Sequence, residues 1–206
     1  MTISPENCWR PRLVVMVKEP RPGRVKTRLG KDLGMVTAAA WFRRQSAALL
    51  RRIEDPRWET VLAVAPDYDG LRSRVWPGHL PKVPQGSGDL GHRMGRLLRE
   101  LPPGPVCIIG ADIPGVTRAH VAQAFQALGA HEAVFGPATD GGFWLVGMKR
   151  VAPPPTSLFQ GVRWSTEHAL ADSMASLPGY RIALVHQLAD IDTKADLESH
   201  RASHSR

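Results

Sequence analysis

The chain has 206 residues, with 27 Lys and Arg against 19 Asp and Glu, long enough for one well-buried α/β domain and short for two. Two cysteines, Cys8 and Cys107, give neither a disulfide framework nor a zinc spacing, and the first apolar run, "LVVMV", is far too short to span a bilayer. The net charge of +8 is local, because residues 1–52 hold twelve basic and three acidic residues while the rest is nearly neutral; one basic segment suits a small polyanion as well as a nucleic acid, and no aromatic interleaving or zinc-finger spacing favours the latter.

In chain order, residues 13–17 read as a strand buried on both faces, because five consecutive apolar residues leave no polar side. The basic stretch "KEPRPGRVKTRLG" follows it directly as a loop. From Met35 to Ile53, apolar positions at Val36, Ala39, Phe42, Leu49, Leu50 and Ile53 recur at helical spacing, with an arginine face opposite. Strands are expected at 60–65 and 106–110, with a Pro/Gly loop and a helix over 92–101 between them. A helix over 117–129, a strand at 132–136, a turn at "ATDGG" and a strand at 143–148 come next. The last elements are a helix over 166–176, a strand at 181–186 and a short helix from Lys194. This alternation argues for a mostly parallel sheet covered by helices, with the close 132–136/143–148 pair adding an antiparallel strand.

Two motifs mislead. "GRVKT" resembles the end of a Walker A loop, but the required glycines would fall at Val25 and Pro20, and neither lets successive backbone N–H groups point at one phosphate. "GSGDLG" matches G-x-G-x-x-G but follows "HLPKVPQ" rather than a strong strand, so its glycines make a turn into a helix or bring the loop and the helix N-terminus towards a base or phosphate.

The carboxylates are more informative. Asp112 in "IIGADIP" stands just past the carboxyl end of a buried strand, where open α/β sheets bind ligands. Thr117 can cap the following helix, which leaves Asp112 for a divalent cation, Mg²⁺ or Mn²⁺, held together with substrate phosphates. Asp140 in "ATDGG" is read first as a hairpin-turn residue. Asp190 and Asp192 in "DIDTKADL" are open to a metal, although Thr193 and Asp196 also fit a capping box. Ser165 is expected to cap the 166–176 helix.

Taken in order, "VKEPRPGRVKTRLG", "QGSGDLGHRM", "GADIP", "GPATDGGFWLVG", "LFQGVRWST" and "DIDTKADL" resemble a bacterial family of nucleotide-diphospho-sugar transferases. That family is grouped with GT-A glycosyltransferases, and some members are assigned to arsenosugar biosynthesis. The chain is also similar to the small guanylyltransferases that act on molybdopterin and 2-phospholactate. The resemblance implies a GT-A, Rossmann-like three-layer sandwich spanning 1–206 as one domain, with 1–11 and 199–206 flexible. It implies that Lys18, Gly23, Lys26, Thr27 and Arg28 face nucleotide phosphates, and that Gly88, Asp89 and Leu90 lie near the nucleotide. Asp112 would hold the metal, and Asp140, Gly141 and Gly142 would line the donor or acceptor side; Asp192, from the D-x-D pair itself, is expected as a second ligand. His92 departs from the acidic residue usual in relatives.

The expected activity is therefore cytoplasmic glycosyl transfer from a nucleotide sugar to a small acceptor, with Lys26, Arg28 and Asp140 catalytic and neither nucleic acid nor membrane as partner. A nucleotidyltransferase using a nucleoside triphosphate is the first rival. A basic, non-catalytic binding module is the second.

Overall fold

The computed structural model describes residues 9–189. Its core is a seven-stranded sheet in the order β3-β2-β1-β4-β6-β5-β7, formed by β1 (Arg12–Lys18), β2 (Glu59–Ala65), β3 (Lys82–Pro84), β4 (Val106–Gly110), β5 (Ala133–Pro137), β6 (Phe143–Met148) and β7 (Ile182–Leu184). All neighbouring strands run parallel except β6, which is antiparallel to both β4 and β5. The helices are α1 (Thr27–Leu33), α2 (Met35–Ile53), α3 (Asp67–Arg72), α4 (Leu90–Glu100), α5 (Arg118–Ala130) and α6 (Ala169–Ala175).

The strand sequences are continuously apolar because both sheet faces are covered. Along β1, Leu13, Val15 and Val17 join the cluster built with α2 and α5, while Val14 packs into the opposite cluster with Met94, Leu97 and Leu98 of α4. On β4, Cys107 and Ile109 face the first cluster and Val106 and Ile108 the second. This is a Rossmann-like three-layer sandwich, a mostly parallel sheet with helices on both faces.

The chain departs from the sequence reading in several elements. The basic loop runs into a helical turn, α1, and α3 and β3 occupy the stretch expected to be only a loop. Short elements of six and three residues carry too little periodicity to stand out. The helix expected over 166–176 begins only at Ala169. Ser165 does not cap it: its φ is +60°, and the turn before α6 is closed instead by Thr166, whose Oγ1 accepts from the His168 N–H at 3.2 Å. Arg163 braces this turn by donating two hydrogen bonds of 2.9 Å to Asp172. Thr117 does cap α5, with the His120 ring bonding back to the Thr117 N–H.

The order of strands matters for the site. From β1 the chain adds β2 and then β3 on one side, and returns to place β4 on the other. The carboxyl ends of β1 and β4 therefore flank the point where the winding reverses, and a crevice opens there in such sheets. The reversal of β6 brings a second segment to the same end, since Phe143 at its start pairs with Pro137 at the end of β5. The 138–142 turn is thereby delivered beside the strand ends that carry Lys18 and Asp112.

Candidate active site

A cavity of about 700 Å³ lies over this switch point. Five basic side chains (Lys18, Arg24, Lys26, Arg28 and Arg93) and three acidic ones (Asp89, Asp112 and Asp140) line it.

The basic arm is shaped by two apolar anchors. Val25 and Leu29 are buried at 4% and 0% exposure, so the residues between them, Lys26, Thr27 and Arg28, are turned towards the cavity. Lys26 takes a left-handed backbone conformation, φ 45° and ψ 48°, a region that side chains other than Gly, Asn and Asp seldom occupy. Strain of this kind is stored where surrounding structure enforces it, often at functional sites. Its ammonium reaches Asp112 Oδ2 at 2.9 Å, and the lysine side chain is only 5% exposed against 35% for the aspartate. Gly110 makes room for that carboxylate, because a Cβ there would lie 2.8 Å from Asp112 Oδ1.

The neighbouring turn is rigid. Gly86 and Gly88 both have positive φ. Asp89 caps α4, its Oδ1 accepting from the His92 N–H at 2.8 Å and lying 2.7 Å from the His92 ring Nδ1. These contacts hold the Asp89 carboxyl below its usual range, the backbone hydrogen bond contributing most and the ring next. His92 thus engages the cap of its own helix.

Across the cavity, Asp140 Oδ1 accepts from the Gly142 N–H at 2.9 Å, so the turn reading holds, and the same residue lines the cavity. Beside it Phe143, Phe159 and Trp164 form an aromatic wall with ring centroids 5.7–6.5 Å apart.

The structure gathers Lys18, Lys26, Thr27, Arg28, Gly88, Asp89, Leu90, Asp112 and Asp140 around one cavity. Gly23 does not line it; with φ +73°, it shapes the turn that leads to Lys26. Asp192 lies outside the described residues. Arg24, Gln85, Arg93, Trp164 and Thr166 also line the cavity but escaped the sequence reading. All five stand inside the quoted motifs, but nothing in residue order assigned any of them to the cavity.

The donor set limits what metal could bind. Among the described residues no three His, Cys, Asp or Glu side chains cluster as a metal cage, which excludes a zinc-type site built from those residues alone. One carboxylate, Asp112, beside cations that would hold phosphate, does fit a hard divalent ion that takes most of its oxygens from substrate and water.

The chain has no match among curated proteins. Its fold is shared with solved structures. A Desulfovibrio desulfuricans G20 protein that carries the provisional name nucleotide-diphospho-sugar transferase superposes with a TM-score of 0.81 at 24% identity, covering 96% of this chain and 89% of that one. The 4-diphosphocytidyl-2C-methyl-D-erythritol synthase of Anaerococcus prevotii DSM 20548 gives 0.63 at 11% identity, with 100% of both chains covered. A CMP:2-keto-3-deoxy-manno-octonic acid synthetase in complex with CTP gives 0.56 at 13% identity, covering 95% and 98%. These likenesses establish the fold. Residues 48–166 match the family model described as "Uncharacterized protein conserved in bacteria (DUF2064)", and the chain belongs to that family.

Proposed function

We propose that the protein, read as one domain over 1–206, transfers a glycosyl group from a nucleotide-diphospho-sugar to a small-molecule acceptor. The observation that carries the reading is the meeting of Lys26 and Asp112 at 2.9 Å, inside a mainly cationic cavity at the sheet's switch point. Such a site matches a diphosphate: charge that grows on the leaving group meets donors already aimed at it, in a low-dielectric recess.

In this reaction an acceptor hydroxyl attacks the anomeric carbon. The bond from that carbon to the diphosphate oxygen breaks, and the nucleoside diphosphate leaves with the bonding pair. Lys26 and Arg28 bind the diphosphate oxygens and stabilise them as they gain charge, while Lys18 and Thr27 position the phosphates with the turn at Gly88, Asp89 and Leu90. Asp140, whose Oδ1 is held by the Gly142 N–H, takes the hydroxyl proton on its other oxygen. The aromatic wall of Phe143 and Trp164 shields this end from water. Asp112 would hold Mg²⁺ or Mn²⁺, and an ion bound there supplies further neutralisation of the diphosphate. Asp192 is proposed as a second ligand.

A second reading is nucleotidyl transfer, with attack on the α-phosphate and release of pyrophosphate. Five cations around the cavity suit a triphosphate, and the fold is also that of a synthetase solved with CTP.

Incubating the purified protein with nucleotide sugars and with nucleoside triphosphates, with and without Mn²⁺, tests both readings. Nucleoside diphosphate as product supports glycosyl transfer, and pyrophosphate supports the second reading. If neither substrate class stabilises the protein to heat, with or without the ion, both readings fall. Salt-sensitive oligonucleotide binding that Asp112→Ala leaves intact would favour a non-catalytic module.

A further inference from the structure

The turn after β3 carries a polar group that the transfer chemistry does not use. Gln85 is 2% exposed, yet it lines the cavity. Its Nε2 donates to the Val17 carbonyl at 3.0 Å and to the Ala63 carbonyl at 2.8 Å. Those bonds use both amide hydrogens, and they also settle the orientation of the amide, since an oxygen could not face two carbonyl oxygens.

The backbone of Gln85 is equally committed. Its N–H donates to the Val64 carbonyl at 3.0 Å, and its carbonyl accepts from Arg96 Nη1 at 2.8 Å. Only the side-chain oxygen is left to offer. Among the described residues, the buried side-chain polar atoms without a partner are Glu19 Oε2, Trp76 Nε1 and Arg150 Nε. Gln85 Oε1 is not one of them, and no described group donates to it, so it opens onto the cavity.

The acceptor is held still. Gly86 N–H donates to Asp67 Oδ1 at 3.0 Å, and Arg96 Nη2 donates to the Ser87 carbonyl at 3.0 Å. A side chain at position 86 would collide with the Arg96 guanidinium. Arg93, on the same wall, is tied by its Nε to the Gly88 carbonyl at 2.9 Å. A preorganised acceptor of this kind discriminates strongly, because a ligand that fails to donate leaves it desolvated and unpaired.

We infer that Gln85 is a specificity-determining residue for the nucleobase of the donor, accepting a hydrogen bond from the ring N–H of a lactam base: guanine, uracil or thymine. The inference rests on the nucleotide-donor reading above. In adenine and cytosine the corresponding ring nitrogen carries a lone pair, which would face the lone pairs of Oε1. In a lactam base the ring N–H stands beside a carbonyl, and the Arg93 guanidinium supplies N–H groups for that carbonyl.

The test uses the whole protein and ligands altered at one atom. Binding of GDP, UDP, dTDP, CDP and ADP is measured by calorimetry with Mn²⁺ present, alongside N1-methyl-GDP and N3-methyl-UDP. A lactam nucleotide should bind more tightly than CDP and ADP, and N-methylation should weaken it about 10- to 100-fold. Gln85→Met should bind the methylated and unmethylated forms equally. Should that variant fail to fold after losing its bonds to Val17 and Ala63, the wild-type comparison decides alone. Nucleotides that bind with no effect of methylation, or with CDP or ADP preferred, overturn the role of Gln85 and leave the donor reading standing. Absence of binding by any nucleotide overturns both.

Discussion

Lys26 Nζ lies 2.9 Å from Asp112 Oδ2, with the lysine almost enclosed and the aspartate one-third exposed. If Asp112 holds a divalent ion as proposed, that ion and the ammonium compete for the same carboxylate. Lys26→Met should accordingly raise the affinity of the nucleotide-free protein for Mn²⁺, read by electron paramagnetic resonance, while Asp112→Asn abolishes it. Unchanged Mn²⁺ binding in both variants would remove Asp112 from the metal site.

The same pair predicts a kinetic signature. If Lys26 stabilises charge that grows only as the diphosphate leaves, Lys26→Met lowers kcat by about 10²- to 10³-fold and changes KM little. Equal losses in kcat and in donor affinity would instead assign the lysine to ground-state binding.

Gly110 is needed where it stands because of its neighbour two residues on. Gly110→Ala brings a methyl group within 2.8 Å of Asp112 Oδ1, so the carboxylate must rotate. A displacement of about 1 Å can cost about 10²-fold in rate. Activity should fall by about that factor with little change in the melting temperature, and retention of full activity would show that the observed carboxylate position is not required.

Leu29 holds the basic arm in place by burying its side chain completely in the cluster shared with α2 and β1. Leu29→Ala should cost about 2–5 kcal/mol of stability from lost transfer energy and the cavity left behind, measured by urea unfolding. Nucleotide binding should weaken along with it, because Lys26, Thr27 and Arg28 lose their support.

Acid should weaken two ion pairs away from the cavity lining. Asp172 is lowered from its ordinary 3.8 to about 2, chiefly by the side-chain hydrogen bond from Arg163 and then by the Arg163 backbone N–H. Glu132 is lowered from 4.5 to about 2 in the same manner by Arg181. A carboxyl whose folded value is depressed contributes stability that is fully present above its unfolded value and is lost as pH falls through the folded one. The window therefore runs from about pH 4.5 down to about 2. Both carboxylates are partly exposed and their arginine partners mostly so, so solvent screens the pairs and a shallow slope is expected. Replacing both carboxylates, in Asp172→Asn and Glu132→Gln together, should flatten the decline in melting temperature across that window, and an unchanged decline would show that neither pair contributes.

The long periodic elements were legible from residue order alone. α2 spans Met35–Ile53 and β6 spans Phe143–Met148 as the apolar pattern indicates, because a 19-residue amphipathic stripe or an unbroken apolar run admits few local alternatives. The motif residues of the candidate site were also visible, since loops at strand ends carry polar groups that the core cannot use. Other features came only from tertiary structure. α3 and β3 depend on their neighbours in the fold, and Ser165 lost its expected capping role to a turn braced by Arg163 and Asp172, nine residues apart in the chain. Gln85 reads in sequence as one polar residue before a glycine turn. Its single outward-facing acceptor exists because β1 and β2 place the carbonyls of Val17 and Ala63 where they take both of its amide hydrogens. The pairing of Lys26 with Asp112 has the same origin. Local sequence sets which groups a segment can offer, but the sheet's winding, which brings β1 and β4 side by side, decides which of those groups meet.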